Sequence, residues 1–282
     1  MNIDKKTIAF IGAGNMAEAL IRGLLTAKTV ASSQLIVTDV RLDRLACLAE
    51  TFGVRTMPDN AAAAAAADIV LLAVKPQQLS AVLENLKSQI SNFKLLISIA
   101  AGVTTERIER ELGGSPRVVR VMPNTPALVG AGAAALAKGK HATDADLAAA
   151  EAILGAVGIT ARVEEKLFDA VTALSGSGPA YVFLVTEAMI RGAVEAGLGE
   201  DLARKLAVQT VLGAARLMAE SGELPEELRR KVTSPGGTTE AALKVMADRQ
   251  LAEIFVAAIQ SATRRGRELS GAPPAGAERP MR

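Results

Sequence analysis

The chain is short of the residues that build metal and disulfide chemistry. Its 282 residues hold one cysteine and one histidine, so no internal disulfide forms and no zinc site of the usual ligands can be assembled. Cys47 lies in a helix-like stretch from Arg41 to Thr51, where a buried, inert thiol is expected, and this sparing use of cysteine fits a reducing compartment. Tryptophan is absent and there are one tyrosine and six phenylalanines, so bases or sugars find few rings to stack on. Charge of one sign is missing too: 32 basic against 30 acidic residues leave a net +2, which gives no electrostatic reason for a nucleic-acid or membrane-surface partner. The N-terminus runs from Met1 to Lys6 and straight into an apolar strand, without the pattern of a signal peptide. No uninterrupted apolar stretch approaches the roughly 20 residues that cross a bilayer, since Glu187 and Arg191 break the segment from Ala180 to Leu198. The expectation is a soluble, cytoplasmic protein.

What the chain does have is apolar bulk, since half of its residues are hydrophobic, enough for the cores of two domains. Strand-length apolar runs occur at Thr7 to Ile11, Leu35 to Thr38, Ile69 to Val74, Leu95 to Ile99 and Val118 to Met122, separated by helix-like segments. This alternation predicts an α/β domain, a parallel sheet with helices on both faces. The seven alanines from Ala61 to Ala67 follow Asp59-Asn60, good N-cap residues, and read as a short helix rather than a spacer. After about Val163 strand-length runs vanish and helical periodicity takes over from Glu164 to Glu268. The predicted division is 1–163 for a dinucleotide-binding domain, 164–270 for an all-α domain, and 271–282 for a disordered tail with three prolines and two glycines. The helices Pro179 to Ala196 and Asp201 to Glu220 are apolar on more than one face, which predicts that they dimerise.

The strand Ile8 to Ile11 runs into Gly12-Ala13-Gly14-Asn15-Met16-Ala17 and then a helix reaching about Ala27. In that context Gly12 permits the tight turn, Gly14 lets a pyrophosphate approach the backbone, and Ala17 lets helix and strand pack closely. The unpaired N–H groups and positive dipole of the helix start then face the phosphates. The next strand ends in Thr38-Asp39, 25 residues beyond Gly14, where an acidic residue bonds the ribose hydroxyls of NADH. Arg41 and Arg44 follow, and an arginine there pairs with the 2′-phosphate of NADPH, so both cofactors stay open. The plainer alternative makes Asp39 a helix N-cap and the arginines a solvated face. The turn Ala73-Val74-Lys75-Pro76-Gln77 closes another strand at the end where ligands bind; Lys75 either contacts phosphate or is solvated.

Taken with Arg120-Val121-Met122-Pro123-Asn124-Thr125-Pro126, Leu174-Ser175-Gly176-Ser177-Gly178-Pro179-Ala180-Tyr181 and Val232-Thr233-Ser234-Pro235-Gly236-Gly237-Thr238-Thr239, these motifs closely resemble the pyrroline-5-carboxylate reductase family, over the chain to about residue 270. The resemblance implies a Rossmann dinucleotide-binding domain followed by a helical dimerisation domain, with the substrate site where the two meet across the dimer. It implies a homo-oligomer built on that dimer and reduction of L-1-pyrroline-5-carboxylate to L-proline by NADPH or NADH, the last step of proline biosynthesis. Carried over by position, Gly12, Ala13, Gly14, Asn15, Met16, Ala17, Asn60, Ala73, Val74, Lys75 and Pro76 contact the cofactor, Asn60 near the adenosine ribose. Ser234, Gly236, Gly237, Thr238 and Thr239 surround the substrate. Some members carry Ser or Asn where this chain has Asp39, which leaves the phosphate preference open.

The residues suit that chemistry. Ser234 to Thr239 precedes a helical segment from Glu240 to Ala247, and its glycines let N–H groups turn toward a carboxylate at a helix start. Thr239 is the candidate catalytic residue. Its hydroxyl is too weak an acid to protonate an imine outright, so orientation of the ring nitrogen ranks above acid catalysis. A carbonyl-reducing dehydrogenase usually needs a His or Lys donor, and His141 sits in a polar connection, Lys138 to Ala142, as a surface residue. A β-hydroxyacid dehydrogenase places a lysine shortly after a glycine cluster like Gly176-Ser177-Gly178, and Ala180 to Ile190 contains none. A non-catalytic dinucleotide sensor remains the rival of a different class, and the Ser234 to Thr239 loop favours the enzyme.

Overall fold

A computed structural model describes residues 3–90 and 94–270; the expected tail at 271–282 lies outside them. The chain separates into two compact units, one reaching Ser177 and resumed from Ala262, the other Gly178–Ser261. The first unit runs β1 Ile8–Ile11, α1 Asn15–Thr26, β2 Leu35–Thr38, α2 Leu42–Phe52, β3 Arg55–Thr56, α3 Asn60–Ala65, β4 Ile69–Leu72, α4 Leu79–Leu86, β5 Leu95–Ser98, α5 Thr105–Leu112, β6 Arg117–Met122, β7 Gly132–Lys138, α6 Asp144–Leu154, β8 Gly158–Arg162 and α7 Phe168–Val171.

The eight strands form one sheet in the order β3-β2-β1-β4-β5-β6-β7-β8. Its residues alternate between two apolar layers, as the two-residue period of a strand requires. Ile8, Phe10, Leu35, Val37, Ile69 and Leu71 face a layer completed by Leu20, Ile21 and Leu24 of α1 and Leu147 and Ile153 of α6. Ala9, Ile11, Ile36, Val70 and Leu72 face the other, with Ala63 and Ala64 of α3 and Leu79, Leu83 and Leu86 of α4. Chain order reverses between β2 and β4, either side of β1, which makes the carboxyl ends of β1 and β4 the switch point where open α/β sheets hold ligands.

The five strands expected from the sequence do pair in parallel, and the sheet is extended by β7, which pairs antiparallel with β6, Met122 opposite Ala135. One expectation changes here. Cys47 is exposed: α2 turns only Leu45 and Leu48 fully inward, and the thiol lies off that face. The alanine run does form a helix, α3, with the Asp59 carboxylate accepting the Ala61 N–H at 2.8 Å.

The second unit contains α8 Gly178–Glu195, α9 Glu200–Ser221, α10 Pro225–Lys231, α11 Thr238–Asp248 and the first part of α12 Leu251–Ser270. Among its residues only Ala203 and Ala207 are buried. Val182, Phe183, Leu184, Leu206, Leu212 and Ile254 all face outward, so the unit has helices but no core of its own, a surface that marks an interaction face. The helical stretch Glu165–Glu195 is long and apolar enough to cross a membrane by length and composition alone, while Glu187 and Arg191 still interrupt its apolar run.

Candidate functional site

The turn after β1 is held in place before any ligand is considered. Gly12 has φ +103°, where a side chain is strained. A Cβ there would lie 2.7 Å from the Ala73 carbonyl oxygen and 3.2 Å from Cγ1 of Val74. The Gly12 N–H donates to the Thr38 carbonyl at 2.9 Å, and the Ala73 N–H donates to the Ile11 carbonyl at 2.8 Å. The fold thus brings together two segments about 60 residues apart, Gly12 to Ala17 and Ala73 to Pro76, at the switch point. Gly14 differs from Gly12: its φ is −69° and nothing lies within 4 Å of the place a Cβ would take. It is the N-cap of α1 and supplies no side-chain cap, so the first N–H groups of that helix are left for a ligand. Asn15 is exposed, Met16 half-buried, and Ala17 fully buried in the α1 layer, where a larger side chain would push helix from sheet.

Asp39 is not the N-cap of α2; Arg41 holds that position. One Asp39 carboxylate oxygen accepts the Ala13 N–H at 2.8 Å and the other accepts the Arg41 N–H at 2.9 Å. Arg44 is turned inward as well. Its Nε donates to the Ala13 carbonyl at 2.8 Å, and its guanidinium pairs with Glu18, which also pairs with Arg22. The hydrogen bond from Arg44, with the charges of Arg44 and Arg22 and against the cost of desolvation, holds the Glu18 carboxyl below the usual glutamate range. Asn60 opens α3, its side-chain oxygen accepting the Thr38 hydroxyl at 2.6 Å. Lys75 is exposed, at the N-cap of a short 3-10 turn beginning at Pro76. Uncapped helix amides, an open approach over Gly14 and a carboxylate at the end of β2 together fit a dinucleotide.

Sequence reading missed a junction in the same unit. The Asn124 side-chain amide donates to the carbonyl and hydroxyl oxygens of Ser175, both at 3.2 Å, while its oxygen accepts the Ala133 N–H at 2.8 Å. A Cβ on Gly176 would stand 2.6 Å from Cε of Met122. The Met122 to Pro126 motif and the Leu174 to Tyr181 motif are therefore partly one structural joint, at a π-type turn from Thr172 to Gly176. Arg120 is buried beneath it, 3.1 Å from Glu165 and over the Phe168 ring.

In the second unit, Ser234, Gly236, Gly237, Thr238 and Thr239 gather at the start of α11, which has no side-chain cap. Gly236 has φ +70°. The glycine amides are not idle, contrary to the simplest sequence reading: Gly236 N–H donates to the Glu240 carboxylate at 2.8 Å and Gly237 N–H to the Ser234 carbonyl at 3.1 Å. A Cβ on Gly237 would stand 2.5 Å from the Ser234 hydroxyl and 3.0 Å from its carbonyl oxygen, so a side chain here would make Ser234 shift. The donors at the mouth of the helix are those of its first turn, at Thr238 and Thr239. His141 lies in the loop between β7 and α6, half-buried. Among the described residues no group of three or more His, Cys, Asp or Glu is placed to hold a metal.

Comparisons with known proteins fall on both parts. Residues 165–269 match a model described as pyrroline-5-carboxylate reductase dimerisation, and residues 7–102 match one described as NADP oxidoreductase, coenzyme F420-dependent. A pyrroline-5-carboxylate reductase of Methanosarcina acetivorans is 46% identical over 267 residues, covering 95% of this chain and 99% of that protein. The solved structure of a pyrroline-5-carboxylate reductase from Coxiella burnetii superposes with a TM-score of 0.90 at 44% identity, covering 94% of this chain and 98% of its own. That of the Plasmodium falciparum pyrroline carboxylate reductase, with NADP bound, gives 0.84 at 30% identity over 95% and 99%.

Proposed function

The chain belongs to the pyrroline-5-carboxylate reductase family, and from that premise we propose how its own residues carry out the reaction. It reduces L-1-pyrroline-5-carboxylate to L-proline with NADPH or NADH, the closing step of proline biosynthesis. The observation that carries the assignment to residues is a pair of uncapped helix starts, each led by a glycine turn: Gly14 before α1 and Gly237 before α11. Such starts bind anions, and the reaction brings two, a diphosphate and a carboxylate.

In this reading the turn from Gly12 to Ala17 cradles the cofactor diphosphate, which the free amides at the start of α1 bond, Asp39 and Arg41 meet the adenosine ribose with Asn60 beside them, and Ala73 to Pro76 line the dinucleotide. The amides of Thr238 and Thr239 and the Thr238 hydroxyl take the substrate carboxylate, with Ser234, Gly236 and Gly237 shaping the turn. The Thr239 hydroxyl orients the ring nitrogen, and the proton that nitrogen gains comes from water, since threonine is too weak an acid to give it. The nicotinamide, when bound, supplies the hydride to the imine carbon; the protein's part is alignment. We assign residues 1–163 to dinucleotide binding and 164–270 to dimerisation and substrate. The coreless helices α8, α9 and α11 support a homodimer or a larger assembly built on it. A cytoplasmic location is proposed from the activity, with neither nucleic acid nor membrane as partner.

The test is oxidation of the reduced nicotinamide by the purified chain in the presence of pyrroline-5-carboxylate. Turnover with proline as product is expected; dinucleotide binding without turnover would mean a sensor instead.

A further inference from the structure

We infer that this chain selects NADH over NADPH, and that Asp39 is the residue that turns the 2′-phosphate away. The inference rests on the dinucleotide-binding reading above and adds the preference that the sequence left open.

The position is set by β2, whose last residue, Thr38, lies beside Ile11 of β1, so the Asp39 backbone emerges next to the glycine turn. Its carboxylate is fixed there. Each oxygen accepts one main-chain N–H, from Ala13 at 2.8 Å and from Arg41 at 2.9 Å, and the side chain is only 15% exposed. An ionised carboxylate offers about four acceptor positions. Two are taken by these amides, and those left are acceptors, matched to the two hydroxyl donors of an unmodified ribose. A 2′-phosphate brings acceptors and negative charge to the same place, so it finds no donor from Asp39 and is repelled by it.

The cations nearby do not reverse this. Arg44, which the sequence alone offered as a phosphate partner, is committed: it bonds the Ala13 carbonyl, pairs with Glu18 and is 18% exposed. Withdrawing it for a phosphate would leave the Glu18 carboxylate without that partner and the Ala13 carbonyl without its donor. Arg22 is paired with the same glutamate. Arg41 is the exposed member, at 59%, and its Nε already stands 3.9 Å from an Asp39 oxygen, so its charge is partly met before a ligand arrives.

Calorimetric titration of the full chain with NADH and with NADPH, without substrate, measures the preference directly. NADH is expected to bind at least about tenfold more tightly, a difference of roughly 1.4 kcal/mol. Asp39→Asn, which keeps an oxygen to accept the Ala13 N–H and removes the charge, should shift the ratio of the two dissociation constants toward NADPH by about tenfold. The ratio of kcat/KM values should move the same way. Equal binding, or tighter NADPH binding, by the unaltered chain overturns the inference while leaving the reductase reading intact. A ratio unmoved by Asp39→Asn in a folded variant overturns the role of Asp39. Failure to bind either dinucleotide overturns the reading beneath, and this inference with it.

Discussion

Two glycines two residues apart do different work, and single substitutions separate them. Gly12 sits at positive φ against the Ala73 backbone, so Gly12→Ala should cost roughly 1–3 kcal/mol of stability as well as cofactor affinity. Gly14 has ordinary φ and open space. Gly14→Ala should leave stability nearly unchanged, since the entropy gain of Gly→Ala and the loss of a glycine N-cap, each about 1 kcal/mol or less, oppose each other, yet weaken dinucleotide binding by crowding the diphosphate. Denaturant melts and cofactor titrations of both variants check this; equal effects of the two on stability would refute the distinction. At the other turn, Thr239→Ala should lower kcat/KM by about tenfold, the loss of one oriented hydrogen bond of ~1.4 kcal/mol. Thr239→Ser should recover most of it. Unchanged turnover in Thr239→Ala removes that hydroxyl from the mechanism.

Helix ends carry the next level of argument. The alanine helix α3 is held at both ends: Asp59 caps its start, and the Lys94 ammonium accepts the role of a C-terminal cap by donating to the carbonyls of Ala64, Ala65 and Ala67 at 2.6–2.8 Å. Asp59→Ala should cost about 1 kcal/mol, read as a drop in melting temperature. Because Asn60 lies on the first turn, a small loss of cofactor affinity should accompany it. Helices α1 and α2 are joined through Glu18, Arg44 and the Ala13 carbonyl. Glu18 has its folded-state carboxyl lowered by Arg44, so this clamp contributes fully above the usual glutamate range and is lost as pH falls through the lowered value. Stability should therefore decline on the acid side, and Glu18→Gln should flatten that part of the profile. An unchanged pH profile in Glu18→Gln would place the acid sensitivity elsewhere.

For the molecule as a whole, the second unit cannot be stable as a free surface in water. It turns Val182, Phe183, Leu184, Leu206 and Leu212 outward and buries only Ala203 and Ala207. Covering such faces is the ordinary way helices without a core are stabilised. Sedimentation should find a dimer or a multiple of it at micromolar concentration. Replacing Phe183 and Leu212 together with Asp should dissociate it and abolish turnover while β1 to β8 remain folded; a fully active monomer would contradict the proposal.

What could be read from the amino acids alone followed from local chemistry. Continuous apolar runs announced β1, β2, β4, β5 and β6, because a strand buried on both faces has no polar side to show. The glycine turn, the alanine helix and the uncapped start of α11 were legible from residue type and spacing. Three strands were not. β3 has two exposed residues. β7 is mostly alanine, a helix former held extended only by its pairing with β6 and β8. β8 exposes most of its residues at the sheet edge. Tertiary structure alone decided which groups were already occupied: Arg44 by Glu18, Asp39 by Ala13, Gly236 by Glu240. Charges and amides have fixed identity in a sequence, but whether they are free for a ligand depends on neighbours that only folding delivers.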